Sequence, residues 1–442
     1  MADLILSFAT EDYVNPHAAD GIIRASKMIR EAGFTLCHNV VARLVEALVK
    51  WGRQDCIDEI KQCEIATHSL THSHHPTINE YTDIDDFDLA MRLFRKEEDE
   101  AVEIIQRILG TESLVAANPP GASVSYVAQY GYADMGFKVY PAAYTIDCVK
   151  GRPVSFCNLL NLHCPYDLDN FINFTKEDVL ELIEKIAEKD ICMITHHPAK
   201  NTIVSYWDRQ NYYKENNDGE WILSDMLPEE KIKNFEENLR FFLEKIKEDE
   251  RINVIGFADI IKRYVHPRSV KREQIPEIKK ALSEDFFPLT VPESLCLSDI
   301  LLACRDFLLG KEEHECEKVY GFLEVPYTIP HPVRVTAAEM RESATQIPDG
   351  RFLPTEIIVG GKKLGPADWL RAALIILSGE EVANVVPDKW QIDLNEFPML
   401  RNQRLVGWWI HSDSFKDEYI SNRARLQSWT IRLPRGTNRK IF

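Results

Sequence analysis

LILSFATED (residues 4–12) and CEIATHSLTHSHHP (residues 63–76) decide how this chain is read. Each is a short apolar run that ends in side chains able to hold a cation or move a proton. Runs of the same kind recur at residues 34–37, 114–117, 137–140, 191–195 and 253–256, and longer amphipathic stretches at 22–32, 41–51, 88–109, 176–188 and 229–247 separate them. Short apolar strands alternating with helices are the pattern of a parallel β/α fold. About seven units in this length predict a distorted parallel β/α barrel. An open doubly wound sheet would read similarly, but no GxGxxG follows the first strand and no GxxxxGK[ST] occurs anywhere.

In a β/α barrel the chemistry lies on the loops that follow the C-terminal ends of the strands. Here those positions hold Thr10, Glu11 and Asp12, then His68 to His72, then Asn118 to Gly121, then His196, His197 and Pro198. His68 and His72 are four apart, which on a helix or tight turn puts both imidazoles within reach of one cation. Asp12 supplies a carboxylate, because strands one and three of a barrel end close together. Two histidines and one acid suit zinc in a site left open to water, with cobalt, nickel or manganese as alternatives.

The 442 residues exceed one typical domain and need no disulfides to bury a core. A net charge of -18 opposes nucleic acid and anionic lipid. No apolar run approaches the roughly 18 to 20 residues that span a bilayer, so no membrane partner is expected. The ten cysteines form no CxxC pair and read as reduced, mostly buried thiols. MADLILSFATEDY lacks a basic stretch, a long apolar run and a cleavage site, so the expected compartment is the cytoplasm, or the outside if a leader has been removed.

SFATEDYVNP resembles the first motif of NodB-like polysaccharide deacetylases, HSLTH their second and ITHHP their last, over about residues 3 to 265. The resemblance implies that Asp12, His68 and His72 hold the metal and that Glu11 is the general base. It implies that His197, or its neighbour His196, protonates the leaving group, and that Asp147 orients that histidine. Two departures stand out. The family usually has Asp where this chain has Glu11, and it usually carries an arginine in the third motif, where Asn118 to Gly121 has none. Asn118 and Gly121 are candidate substrate contacts, and Tyr206, Trp207, Asp208 and Asn211 a candidate cleft wall, since aromatic faces stack on sugar rings.

From about residue 265 the strand alternation stops. Residues 266–285 read as a charged, proline-bounded linker and 286–442 as a mainly helical C-terminal region. Within it, LPTEIIVGGKKLGPADWLRAAL resembles a pseudomurein-binding repeat over residues 333–377, which implies cell-wall or partner binding. The expected activity is a metal-dependent hydrolase that removes an acetyl or related acyl group from an N-acylated saccharide or small amide. The alternatives are hydrolysis of a non-peptide C–N bond in a small cyclic amide, or a catalytically weak carbohydrate-binding barrel. A homo-oligomer is left open.

Overall fold

The computed structural model describes residues 1–122, 125–142, 150–212, 220–291, 293–392 and 409–437. The chain divides into two compact units: residues 1–153, 159–265 and 402–420 form the first, and residues 154–158, 266–401 and 421–442 the second.

The first unit is a distorted parallel β/α barrel. Its strands are β1 (Ala2–Thr10), β2 (Cys37–Val40), β3 (Glu64–Thr67) and β4 (Val139–Ala142); β5 (Val154–Phe156) is counted with the second unit; then come β6 (Leu159–His163), β7 (Tyr166–Asp167), β8 (Ile191–His196) and β9 (Ile252–Ile255). The order β3-β2-β1-β8-β7 is parallel throughout, and β9 pairs with the first half of β1. Past β3, Thr67 bridges Ala117 in parallel, the Ala117 N–H donates to the Val139 carbonyl at 3.0 Å, and β4 pairs with β6 in parallel. All these strands therefore point their C-terminal ends the same way.

Successive side chains on a strand face opposite sides, and this sorts the core. Ile5, Cys37, Ala66, Ala116, Val139, Leu162, Met193 and Ile255 cluster in the lumen of the barrel. Leu4, Leu6, Phe8, Cys192 and Ile194 pack outward. There they meet α1 (Ala19–Glu31), which is followed in the chain by α2 (Ala42–Lys50), α3 (Gln54–Ile60), α4 (Ile78–Thr82), α5 (Phe87–Leu109), α6 (Tyr126–Asp134), α7 (Lys176–Ala187), α8 (Trp207–Tyr212), α9 (Glu229–Glu248) and α10 (Phe257–Tyr264). Ala25 and Ile29 of α1, Val179 and Ile183 of α7, and Phe235, Leu239 and Phe242 of α9 form the outer layer. Each fully buried side chain of this size contributes about 1.5–3 kcal/mol before chain entropy is counted. The ends of α5 follow local rules: Asp86 accepts from the Leu89 N–H, and Gly110 at φ 65° closes the last turn.

In the second unit, residues 266–285 hold a strand at Ser269–Lys271 and α11 (Ile275–Glu284), with Val270, Ile275 and Ile278 buried, where the sequence reads as a linker. Pro276 sits in the first helical turn, where a proline lacks nothing the helix needs, so it marks a helix start here and not a loop. α12 (Leu297–Leu308), α13 (Ala337–Ala344) and α14 (Pro366–Leu377) carry most of the remainder. Strands Ile357–Val359 and Lys362–Leu364 form a hairpin through Gly360 and Gly361, at φ 54° and 78°, the two positive values a tight hairpin turn requires. Among the described residues no helix is long and apolar enough to cross a membrane.

Candidate metal centre and facing histidine

The lumen parity continues past the strand ends and decides what meets there. Ile5 lies in the lumen, and Ala9 and Glu11 follow on the same face of β1; His68 follows Ala66, and His197 follows Met193 and Thr195. Glu11, His68 and His72 accordingly bring one ligand atom each within 4.8 Å of one another, and all three are buried. Glu11 Oε2 lies 2.9 Å from His72 Nε2 and 3.5 Å from His68 Nε2.

Asp12 is not part of this group. Its parity is the other one, and Oδ1 is taken by the Val14 and Asn15 N–H groups at 3.0 and 2.8 Å, a turn that aspartate favours. Its Oδ2 is buried and has no hydrogen-bond partner. The carboxylate beside the two histidines is thus Glu11, where the sequence reading put Asp12.

His68 to His72 is a bent loop and no helix: Ser69 and His72 adopt φ 72° and 59°. Such conformations cost about 1–3 kcal/mol each and persist only where the surroundings impose them. The Ser69 hydroxyl accepts from the His72 N–H at 3.0 Å. The first N–H groups of α2, on Ala42 and Arg43, donate to the Ser69 and Leu70 carbonyls at 3.1 Å each, so a helix start that would lack partners grips the loop.

The hydrogen bonds of the two imidazoles fix their tautomers. His68 Nδ1 faces the Asn118 carbonyl at 2.6 Å and must donate to it. His72 Nδ1 faces Ser73 Oγ at 2.8 Å, and Ser73 spends its own proton on Asp208 Oδ2 at 2.7 Å, so His72 Nδ1 donates as well. In the neutral rings both Nε2 atoms then present lone pairs to the buried Glu11 Oε2. With both rings neutral three lone pairs converge; a proton on His72, which Glu11 and Asp208 favour, would instead be shared with Glu11 Oε2. A divalent cation fits this donor set, and the outer bonds from Nδ1 are those that orient metal-binding histidines.

Charge follows the same geometry. Burial alone would raise Glu11, but the imidazoles of His72 and His197 outweigh it and hold its carboxyl well below the usual range. Burial keeps His68 on the neutral side despite Glu11, whereas for His72 the carboxylates of Glu11 and Asp208 overcome burial and raise it. Burial pushes Asp12 up to about 7 against its backbone hydrogen bonds, and the charges of Glu11 and Asp208 add to the rise.

Across the cavity stands His197. Its Nδ1 lies 2.7 Å from Asp169 Oδ2, which also accepts from the Tyr206 hydroxyl at 2.7 Å, and its N–H donates to Asp169 Oδ1 at 2.9 Å. Burial works against a charged ring, but Asp169 and then Glu11 outweigh it and hold His197 up at about 9. Asp169 itself is held well below the carboxylate range, since the charge of His197 and the bonds from both histidines exceed the cost of burial. His196 faces the other way: its Nδ1 bonds Asp169 Oδ1 at 2.8 Å, its Nε2 lies 3.2 Å from Asn201 Nδ2, and its ring sits between Phe8 and Phe235. It is fully buried and does not line the cavity.

The cavity measures about 270 Å³. Glu11, His68, His72, Asn118, Gly121, His197, Tyr206 and Asp208 line it, together with Ala9, Pro119, Pro141, Cys164, Met193, Thr195, Trp409 and Ile410. Trp207 and Asn211 do not. Trp207 is buried against Tyr13, Tyr212 and Trp221, and Asn211 pins the chain through Trp207 and Ile222, so both belong to the packing behind the wall. Asp147 lies outside the described residues. Sequence reasoning missed Asp169 and the wall at Trp409 and Ile410. Asp169 follows β7, a two-residue strand with no apolar run to announce it. The second wall is anchored by His411, whose ring nitrogens face Thr77 Oγ1 and Asn79 Nδ2, by the Ser412 N–H on Glu80, and by Asp83, which accepts from the N–H groups of Glu418, Tyr419 and Ile420.

No family model and no curated protein matches the chain. Solved structures align with it only distantly. A Mycobacterium smegmatis protein provisionally assigned as a polysaccharide deacetylase is 14% identical, with 59% of this chain and 89% of that one covered at a TM-score of 0.39. A 4-alpha-glucanotransferase from Thermococcus litoralis is 11% identical over 64% and 46%, with a TM-score of 0.40. A family 4 carbohydrate-esterase pseudoenzyme from Bacillus anthracis is 11% identical over 58% and 63%, with a TM-score of 0.33. At this distance the likenesses bear on neither substrate nor chemistry, and none of the three proteins is described as carrying a pseudomurein-binding repeat, the resemblance read at residues 333–377.

Proposed function

We propose that the protein is a metal-dependent hydrolase that removes an acyl group, acetyl in the first instance, from an N-acylated saccharide or related small amide. One observation carries this reading: the buried ligand atoms of Glu11, His68 and His72 converge in the same cavity that His197, backed by Asp169, lines. Zinc is the first choice for the nitrogen-rich donor set. A cation bound there would polarise the acyl carbonyl and make a water acidic.

The chain's own groups do the rest. Glu11 joins the histidines as a ligand. Asp12, turned to its own loop, does not line the cavity and takes no direct part. His197, charged at neutral pH, gives its proton to the departing nitrogen while Asp169 and Tyr206 hold its ring in place. Asn118 and Asp208, through Ser73, fix the tautomers of the ligand histidines. Ala9, Pro141, Cys164 and Met193 give the inner end of the cavity an apolar lining that suits an acyl group. The fold unit that carries the reaction is residues 1–265 with the returning segment near Trp409.

The test is elemental analysis of chelator-washed, zinc-reloaded protein together with acetate release from a panel of N-acetyl sugars and small amides. Zinc bound near one per chain with acetate released supports the reading. Zinc bound with no acyl substrate cleaved favours a carbohydrate-binding barrel, and no zinc bound ends the proposal.

A further inference from the structure

The cavity has two aromatic walls, and each carries a cation that no carboxylate neutralises. Arg209 Cζ lies 5.6 Å from the centre of the Trp409 ring, and Lys200 Nζ lies 5.1 Å from the centre of the Tyr206 ring. Both rings line the cavity; the two cations sit over the rings and do not line it themselves. Among the described residues neither cation is within ion-pair distance of an acid; Lys200 donates only to the Val204 carbonyl, at 2.6 Å, and Arg209 is exposed. In a chain with 70 acidic and 52 basic side chains, two unpaired cations flanking one site run against the field of the whole molecule.

The nearby acids are occupied. Asp169 is held by His196, His197 and Tyr206, Asp208 by Ser73 and the Arg209 N–H, and Glu11 belongs to the candidate metal group. The aromatic faces hold the cations where they are: a guanidinium or ammonium over a ring is attracted by about 0.5–1 kcal/mol even at an exposed site. The Trp409 wall is itself tied down through His411 and Ser412. At about 270 Å³ the cavity has room for one sugar-sized molecule.

We propose that Arg209 and Lys200 select an N-acylated small molecule that also carries an acidic group, a carboxylate or a phosphate, reaching out of the cavity past the Trp409 and Tyr206 rings. The inference rests on the hydrolase reading for the amide end of the substrate. The acidic end is recognised by the two cations whether or not the bond is cut.

The test is binding, measured by calorimetry on the zinc-loaded protein with three probes: N-acetylglucosamine, its 6-phosphate, and N-acetylmuramic acid. The expected result is that at least one acidic probe binds about 10- to 100-fold more tightly than the neutral one, the range for a hydrogen bond to a charged group. That preference should shrink as salt is raised and fall to about one in the Arg209→Met, Lys200→Met double variant, which keeps apolar stems against the rings. Equal affinity of neutral and acidic probes in the parent, no measurable binding of either acidic probe, or an unchanged preference in the double variant would each overturn the proposal. Acetate release is read separately. An acid preference without release from any probe sinks the hydrolase reading and leaves this one standing, and release without an acid preference does the reverse.

Discussion

Two buried acids of the second unit come already paired. Arg432 grips Asp299 with two hydrogen bonds of 2.6 and 2.7 Å, and Asp306 is shared by Arg305, Lys311 and His314. In the first unit Glu11, His68 and His72 are buried as deeply, yet the groups that face the Glu11 carboxylate are imidazoles, which can lose their protons. The first arrangement is closed by guanidinium groups that stay charged. The second can exchange its protons for a cation, and buried ligand atoms grouped in that way mark a place where something else binds. The difference separates a fastening from a site without any appeal to likeness.

The comparison yields predictions of decreasing size. His197→Gln keeps bulk and polarity but cannot hold a proton at neutral pH, so turnover of an identified substrate should fall by about 10²- to 10⁴-fold, with zinc content unchanged. Parent-like turnover in that variant would remove His197 from the reaction. On the fastening side, Asp299→Asn leaves Arg432 buried without its counter-charge and should cost about 3–5 kcal/mol in denaturant unfolding. Glu11→Gln should cost less in metal-free protein, since the imidazoles that face it can lose their protons whereas Arg432 cannot. Similar losses in the two variants would erase the distinction.

A smaller effect is expected from pH. The donor form of His197 is present below its pKa of about 9 and disappears above it, so the rate should fall as pH rises through that value. Asp169→Asn removes the largest of the three carboxylate contributions, from Asp169, Glu11 and Asp167, that hold the pKa up, and the alkaline fall should move down by about one to three units. An unmoved pH profile in Asp169→Asn would show that another group sets it.

Much of this architecture was legible in the residues. The apolar runs at 4–8, 191–195 and 253–256 fall on β1, β8 and β9, because strands buried on both faces have to be apolar nearly throughout. The choice between Glu11 and Asp12, and between His197 and His196, was legible too, had strand parity been carried past the strand ends: Ile5, Ala9 and Glu11 share one face, as do Met193, Thr195 and His197. Motif position pointed to Asp12 and geometry points to Glu11. Asp169 was hidden because β6 and β7 are short and interrupted at Cys164 and Pro165, so no hydrophobic period led to it. Trp409 and Ile410 were beyond reach for another reason. They are followed by His411 and Ser412, whose contacts with Thr77, Asn79 and Glu80 span over 330 residues of chain, and no local pattern encodes such a partner.

The exchange between the two neighbouring acids is the claim on which the account turns, and metal content tests it directly. Glu11→Gln and Asp12→Asn are stripped with chelator, reloaded with zinc, desalted and analysed for metal per chain. The geometry predicts that Glu11→Gln loses most of its zinc, because a carboxylate beside both imidazoles is gone, whereas Asp12→Asn keeps the parent's content. Zinc retained in Glu11→Gln and lost in Asp12→Asn would contradict it and return the metal to Asp12.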